Sequence, residues 1–266
     1  MLALLSRQAW APYSLLAVLA ACGAATTTTP TTSASPPAPE PTPRRITLHL
    51  AGDSTMGEGL PERRPETGWG EELPALFRED LLLVRNYAKR GRSTRTFLSE
   101  GFWAALIANV KEGDWVVVQF GHNDGSRDEE ETPPSEYRAN LTRFVSEVRT
   151  LKALPLLATP IAVRRFNSDG SLQDTHGQYP EIVRSTARTE NVPLLDMLEI
   201  SARVVTESGV EPSKELYQHL LPGQHPNYPN GLADNIHLSP KGALVLAQRA
   251  AQGMREMRLP LAAFLK

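Results

Sequence analysis

Two polar segments of the sequence contain residue types that nucleophilic catalysis uses. Ser54 follows a Gly-Asp pair, and His237 comes three residues after Asp234 near the C-terminus. A serine hydroxyl is a poor nucleophile until a base takes its proton, and His237 is the available base. Asp234 can hold the imidazole in the required tautomer and stabilise its charged form. We therefore interpret Ser54, His237 and Asp234 as a candidate nucleophile, base and orienting carboxylate.

Two further segments supply candidate donors for the negative charge that develops when a nucleophile attacks an acyl carbonyl. That charge needs preorganised hydrogen-bond donors. The backbone N–H of Ser54, the N–H of Gly91 and the side-chain amide of Asn123 can converge on it. Gly91 suits this role because a residue without Cβ lets its backbone approach a substrate closely. Each segment alone has a plainer explanation, such as a turn serine at 54 or an Asx-turn at 234; together they favour one catalytic site.

The elements that would position these residues alternate between strand and helix. Apolar runs predict five strands, and helical spacing predicts five helices between and after them. The strands are Ile46–Ala51, Leu82–Tyr87, Asp114–Phe120, Leu154–Thr159 and Val192–Met197, and the helices are Trp69–Arg78, Phe97–Val110, Tyr137–Lys152, Ile182–Glu190 and Ser239–Met257. This alternation predicts an α/β fold with a parallel sheet and helices on both faces. Three of the four polar segments come at the ends of successive strands, where ligands bind in such sheets.

The four segments together resemble those of the SGNH/GDSL hydrolase superfamily. The strings AGDSTM (51–56), GWG (68–70), GRSTRTF (91–97), QFGHND (119–124) and DNIHLSPKGA (234–243) are similar to its rhamnogalacturonan acetylesterase branch. The resemblance implies a flavodoxin-like three-layer α/β/α sandwich with five parallel strands in the order 2-1-3-4-5. It also implies a serine esterase that removes acetyl groups from rhamnogalacturonan- or pectin-type polysaccharide, with no metal and no cofactor.

Three other functions stay open on the sequence. One is an acetylxylan esterase or broader short-chain acyl esterase, and another is an esterase for longer acyl chains. The third is a non-catalytic surface protein that binds polysaccharide in the same cleft, although such a protein would have little reason to keep a complete nucleophile, base and oxyanion set. The segment order and residue types favour the acetylesterase.

Residues beside the candidate site are interpreted as substrate contacts or as supports. His122 and Arg92 are tentative substrate-binding residues, and Lys89, Arg90, Arg92 and Arg95 would favour a substrate with carboxylates if their side chains face the cleft. An equally good alternative is that these cations point into solvent. His219 and His225 lack the close ligand spacing of a zinc site. Asp53 and Asp124 are predicted to brace their loops, and His49 and Trp69 to pack in the core.

Composition limits the partners. The chain has 28 Lys+Arg and 30 Asp+Glu among 266 residues, so its formal net charge is −2 and no basic excess favours a nucleic-acid partner. No run of about 18 apolar residues predicts a spanning helix. The expected partners are an acetylated polysaccharide or oligosaccharide and, through a lipid at Cys22, a membrane. We expect a monomer.

The N-terminal segment predicts export. Residues 1–22 have the outline of a bacterial lipoprotein signal that ends in Leu19-Ala20-Ala21-Cys22, where lipidation would fall on Cys22; an ordinary signal cleaved nearby is the alternative. Residues 23–44 are mostly Thr, Pro, Ala and Ser and predict a disordered linker, because they contain too little apolar surface to offset the entropy of ordering. Residues 45–266 are then the hydrolase domain. We expect a lipid-anchored protein of the bacterial cell envelope, at the outer membrane or cell surface, or otherwise a secreted one.

Overall fold

The computed structural model describes residues 44–126 and 131–266. The predicted signal, Cys22 and all but the last residue of the predicted linker lie outside this range. Within it, no helix is long and apolar enough to cross a membrane.

A five-stranded parallel sheet forms the centre of the described domain. Its strands occur in the order β2-β1-β3-β4-β5, which confirms the predicted order. The bounds are β1 Ile46–Gly52, β2 Leu82–Asn86, β3 Trp115–Gln119, β4 Leu154–Ala158 and β5 Leu194–Leu195. In register, Leu50 of β1 pairs with Asn86 on one side and with Val117 on the other. All five residues of β3 are buried, as a central strand of a covered parallel sheet requires.

Helices cover both faces of the sheet and complete three layers. They are α1 Trp69–Glu72, α2 Thr94–Ser99, α3 Phe102–Ile107, α4 Pro134–Thr150, α5 Tyr179–Thr189, α6 Met197–Ser208 and α7 Pro240–Glu256. Successive side chains of a strand point to opposite faces. Val117 accordingly packs in the cluster with α1, α6 and α7, whereas Val116 and Val118 pack with α2 to α5. The predicted flavodoxin-like α/β/α sandwich is confirmed.

Three predicted elements differ from the structure in more than the position of their ends. The helix predicted over Phe97–Val110 is two helices, because Gly101 adopts a left-handed φ of 81° and separates α2 from α3. The helix predicted over Trp69–Arg78 changes to a 3-10 helix at Leu73–Leu76, since Pro74 has no amide to continue the α-helical pattern. β5 has only two residues, because Asp196 accepts a hydrogen bond from the N–H of Glu199 and begins α6.

A second, two-stranded antiparallel sheet follows α6. Its strands are β6 Tyr217–Leu220 and β7 Leu232–Leu238. The sequence predicted neither strand, and the Asp234–His237 segment lies on β7. The helix predicted from Ser239 is α7, and Ser239 is its N-cap: the Ser239 hydroxyl accepts from the N–H of Gly242, and Pro240 occupies the first turn.

Candidate active site

Ser54 lies in a tight turn directly after β1. The turn is closed by the N–H of Gly57, which donates to the carbonyl of Asp53 at 2.9 Å. The carboxylate of Asp53 accepts from the N–H and the hydroxyl of Thr55 at 2.9 and 2.8 Å. A Cβ at Gly52 would lie 2.9 Å from the carbonyl oxygen of Gln119, so the close approach of β1 and β3 before the turn requires glycine. The turn leaves Ser54 half-buried at the carboxyl edge of the sheet.

A chain of hydrogen bonds joins Ser54, His237 and Asp234. Ser54 Oγ is 3.1 Å from His237 Nε2, and His237 Nδ1 is 2.7 Å from Asp234 Oδ2. Burial disfavours the charged carboxylate, but hydrogen bonds from the ring and backbone of His237 and from the N–H of Ile236 outweigh it and lower the pKa of Asp234 to about 2. An ionised carboxylate only accepts, so Nδ1 carries the proton and Nε2 accepts from the serine hydroxyl.

The three predicted oxyanion donors lie on loops that follow successive strands. Within the described part of the chain, the backbone amides of Ser54 and Gly91 donate to no protein acceptor. Gly91 has a φ of 70°, and a Cβ there would meet nothing within 4 Å, so its backbone borders open space. The side-chain amide of Asn123 donates to the carbonyl of Arg92 at 3.0 Å, which fixes its orientation and leaves its second N–H free to donate.

The ring of His122 packs against the ring of His176. The two rings meet edge-on with centroids 4.5 Å apart, and Nε2 of His122 is buried with no partner among the described residues. Burial, followed by the nearby His176 and His237, lowers the pKa of His122 well below its usual value. The ring is therefore neutral at pH 7. His176 in turn is held by the carbonyl of Ile161 at 2.8 Å from its Nε2.

Arg92 and two of its basic neighbours are engaged with glutamates. Arg92 lies 2.7 Å from Glu100 and rests over the ring of Phe102, with Cζ 5.7 Å from the centroid. Two further pairs follow the same pattern: Arg90 with Glu66 and Arg95 with Glu136. Among the described residues, Lys89 alone of the four cations has no carboxylate partner. The positive charge around Gly91 is thus largely compensated within the protein.

A buried network behind the nucleophile turn was not predicted from the sequence. Trp69 Nε1 donates to Gln119 Oε1 at 2.6 Å, and Gln119 Nε2 donates to the hydroxyl of Thr55 at 2.8 Å. The network joins α1, the end of β3 and the residue after Ser54. Its members stand in the strings GWG, QFGHND and AGDSTM, so the strings carried the signal, but their spacing along the chain does not show that they touch.

Two buried carboxylates lie in the loops of the site. Asp53 is 0% exposed and its Oδ2 has no partner in the described chain, and Asp124 accepts from the N–H and hydroxyl of Thr94 at 2.9 and 2.6 Å. Burial raises the pKa of each to about 6, against opposing hydrogen bonds from Thr55 and from Thr94 respectively. Both act as loop braces, as the sequence predicted. His49 and Trp69 are fully buried, also as predicted.

The other histidines singled out in the sequence have structural partners. His219 Nε2 lies 2.9 Å from Asn235 Oδ1, and His225 Nδ1 accepts from the N–H of Asn227 at 3.2 Å. Over residues 44–126 and 131–266, no group of three His, Cys, Asp or Glu side chains is placed to hold a metal ion.

The fold and the site together are typical of one class of protein. A serine, a histidine and an aspartate joined by hydrogen bonds at the carboxyl edge of a doubly wound parallel sheet characterise α/β serine hydrolases. Within this class, residues 50–245 match the GDSL-like Lipase/Acylhydrolase family. The chain belongs to this family, and the resemblance inferred from its motifs is confirmed.

Named relatives refine the comparison. The chain is 39% identical over 216 residues to rhamnogalacturonan acetylesterase RhgT of Bacillus subtilis (strain 168). The aligned residues cover 81% of this chain and 92% of the relative. It is 33% identical to the probable rhamnogalacturonan acetylesterase YesY of the same organism, over 80% of this chain and 94% of that one.

Two solved structures share the fold. Protein YxiM of Bacillus subtilis superposes with a TM-score of 0.70 at 26% identity, covering 82% of this chain and 58% of that one. Axe2, an acetylxylan esterase from Geobacillus stearothermophilus, superposes with a TM-score of 0.57 at 23% identity over 79% of this chain and 94% of its own. The second likeness concerns the fold alone.

Proposed function

We propose that the protein is a serine acetylesterase that removes acetyl groups from plant cell-wall polysaccharide of the rhamnogalacturonan type. The observation that carries the reaction type is the hydrogen-bonded chain from Ser54 Oγ through the His237 ring to an ionised Asp234. The observation that carries the substrate class is the 39% identity to rhamnogalacturonan acetylesterase RhgT over most of both chains.

The geometry supports a two-step reaction through an acyl-enzyme. Ser54 Oγ attacks the acetyl carbonyl while its proton passes to His237 Nε2, and the charge on Asp234 stabilises the imidazolium. The amides of Ser54, Gly91 and Asn123 donate to the tetrahedral oxyanion. The ester bond then breaks, the sugar oxygen takes the proton from His237, and the acetyl group stays on Ser54. Water then attacks the acetyl carbonyl while His237 takes its proton. The bond between Ser54 Oγ and the acetyl carbon breaks, acetate leaves, and Ser54 Oγ takes the proton back from His237.

The charges beside the site add little to the choice of substrate. Because Arg90, Arg92 and Arg95 are paired with glutamates, only Lys89 is available to a carboxylate of a galacturonate-containing chain without breaking an ion pair. The substrate assignment therefore rests on the relatives. His122 and Arg92 stay proposals as substrate contacts, with His122 acting as a neutral ring.

The test of this proposal compares the wild-type protein with Ser54→Ala. Acetate release is measured on acetylated rhamnogalacturonan, acetylated xylan and a small aryl acetate, with the exposed Ser168→Ala as matched control. Release from the pectic substrate by wild type and control, lost in Ser54→Ala, is the expected result because Ser54 is the only proposed nucleophile. Full activity in Ser54→Ala would refute the mechanism.

Other outcomes bear on the substrate. Release from xylan or the aryl ester alone would keep the mechanism and replace the pectic substrate by the acetylxylan or short-chain alternative. No release from any acetate would favour longer acyl chains or a polysaccharide-binding protein without activity.

We also propose that the protein is exported and anchored to the cell envelope through a lipid on Cys22. Support comes from the sequence Leu19-Ala20-Ala21-Cys22, which lies outside the described residues, and from the chemistry of a polysaccharide substrate that is found outside the cell. Mass spectrometry of the mature N-terminal residue tests the anchor.

A further inference from the structure

A buried arginine that forms no close ion pair lies next to the segment that carries Asp234 and His237. Arg164 is in the loop after β4 and is 6% exposed. Within the described part of the chain, no Asp or Glu oxygen lies within 4.0 Å of its guanidinium, and Glu211 interacts with it only at longer range. Taking a guanidinium out of water is costly unless its N–H groups are satisfied. Because burial of this cation is costly, we expect Arg164 to have a specific structural or functional role.

All the contacts of this guanidinium are made to neutral oxygens. Nε donates to the hydroxyl of Ser213 at 3.0 Å, and Nη2 donates to the carbonyl of Val210. Nη1 donates to the side-chain oxygen of Asn235 at 2.9 Å. Phe166 covers the group, with its ring centroid 5.5 Å from Cζ. Three polar contacts in fixed directions match the planar fork of arginine and not the single ammonium of lysine.

The hydrogen bond from Arg164 fixes which side-chain atom of Asn235, oxygen or nitrogen, faces the guanidinium. Arginine can only donate, so the atom of Asn235 that faces Arg164 is the oxygen Oδ1. The same oxygen lies 2.9 Å from His219 Nε2, which must therefore also donate to it. The main chain adds a third link, because the N–H of Arg164 donates to the carbonyl of Asn235 at 2.8 Å. Asn235 is thus held at both its side chain and its backbone.

The position of Asn235 in the chain gives these contacts their consequence. It stands between Asp234 and His237 on β7, which among the described strands pairs with β6 and not with the main sheet. Ser54, in contrast, stands on the turn after β1 of the main sheet. The 3.1 Å distance between Ser54 Oγ and His237 Nε2 therefore depends on contacts that tie β7 to the loops of the main sheet.

We propose that Arg164 is a positioning residue that acts through Asn235 to hold Asp234 and His237 in line with Ser54. The inference rests on the proposed function, in which His237 takes the proton of Ser54. Asp234 already closes a local turn by accepting from the N–H groups of Ile236 and His237 at 2.7 and 3.0 Å. That local turn sets the geometry between Asp234 and His237, and Arg164 sets where the turn lies relative to the nucleophile.

The test uses Arg164→Met, Asn235→Ala and the double variant in the full chain. Arg165→Met is the matched control, since Arg165 is the exposed neighbour and its side chain forms no hydrogen bond or ion pair within the described residues. With an aryl acetate as substrate, each single variant should lower kcat by roughly 10- to 100-fold, because displacement of a reacting group by about 1 Å has this effect. KM should change by less than about threefold, since neither residue contacts the substrate.

The double variant tests whether Arg164 acts through Asn235. Residues that act through one contact have non-additive effects, so the double variant should lose no more kcat than the worse single variant. Multiplied losses, or folded single variants with the kcat of Arg165→Met, would overturn the proposal. If Arg164→Met does not fold, Asn235→Ala decides alone, because it leaves the contacts of Arg164 to Ser213 and Val210 in place.

A second measurement separates this proposal from the proposed function. The proton on His237 Nδ1 gives a far-downfield NMR resonance while it is held between His237 and Asp234, and this resonance requires no substrate. The rate at which an inhibitor such as a fluorophosphonate reacts with Ser54 reports the alignment of Ser54 and His237. We expect the resonance to persist in Asn235→Ala, because the local turn survives, and the rate of labelling to fall with kcat.

Failure of the proposed function and failure of the positioning role would give different results. Suppose that the wild-type protein hydrolyses no ester and that the inhibitor labels Ser54 more slowly in Asn235→Ala than in wild type. This result would refute the proposed function and keep the positioning role. Wild-type protein that hydrolyses acetate esters, with labelling unchanged by Asn235→Ala, would refute the positioning role alone.

Discussion

The side-chain amide of Asn123 shows how single atoms decide the chemistry proposed here. One of its N–H groups is committed to the carbonyl of Arg92, at 3.0 Å. That contact removes the rotational freedom of the amide before any substrate arrives. Preorganised donors contribute most to catalysis because they need no rearrangement as charge develops on the substrate. Arg92 therefore supports the site through its main chain, whichever way its guanidinium points.

Replacement of Asn123 by Ala is predicted to act on the chemical step. Loss of one oxyanion donor should lower kcat by about 10²- to 10³-fold with little change in KM, since the donor is used mainly in the transition state. Steady-state kinetics on an aryl acetate measure both constants, and Asn167→Ala, at an exposed loop position, is the control. A raised KM at unchanged kcat would instead make Asn123 a contact for the bound substrate.

At the residue scale, the sequence predicts the residues whose side chains have catalytic chemistry and that lie in motifs similar to those of the family. The structure places His237 within hydrogen-bond distance of both Ser54 and Asp234, and their catalytic roles stay a prediction. The sequence did not point to Arg164, whose contact with Asn235 spans 71 positions of the chain. An arginine in a loop is usually exposed, and nothing in the local sequence shows that this one is buried.

At the scale of elements, hydrophobic runs predicted the strands better than helical spacing predicted the helices. Strands β1 to β4 begin and end within a residue of the predicted bounds, because a strand covered on both faces forms a short apolar run, most clearly in β3, whose five residues are all buried. The helices failed where one backbone feature overrides periodicity, as at Gly101 and Pro74. Strands β6 and β7 were missed because their residues are largely polar or partly exposed, so no apolar run marks them.

Two glycines of α7 allow a matched test of how this helix is seated. A Cβ at Gly242 would lie 1.9 Å from the carbonyl oxygen of Leu216, whereas a Cβ at Gly253 would meet the movable Cδ1 of Leu195 at 2.8 Å. Alanine favours a helix over glycine by about 1 kcal/mol at either position. Gly242→Ala should nevertheless destabilise the protein by several kcal/mol, as overpacking against backbone does, and Gly253→Ala should be close to neutral.

Thermal unfolding of both variants checks this prediction. Because Gly242 is five residues after His237, Gly242→Ala should also lower esterase activity below the unfolding temperature, while Gly253→Ala keeps it. Equal melting temperatures for the two variants would show that Leu216 and the N-terminus of α7 can separate without loss.

At the scale of the whole molecule, stability is coupled to pH through groups buried near the site. Asp53 and Asp124 have pKa values raised to about 6 by burial, so the folded state keeps their protons over a range in which the unfolded state has lost them. His122 and His176 act in the opposite sense, because burial lowers their pKa values. The wild-type profile is the sum of these contributions, and only a difference between variants isolates one of them.

Asp53→Asn is predicted to become more stable relative to wild type as pH rises from about 4 to about 7. In wild type the folded state binds more protons at Asp53 than the unfolded state does between pH 3.8 and about 6, so the contribution of Asp53 to stability falls as pH rises through that range and is constant above it. The shift corresponds to roughly 3 kcal/mol at most. Asparagine keeps an oxygen that accepts from Thr55 and carries no charge. Denaturant unfolding of both proteins at several pH values measures the difference in stability, which should grow in favour of Asp53→Asn as pH rises. A difference that does not change with pH would show that burial does not raise the pKa of Asp53 in the folded protein.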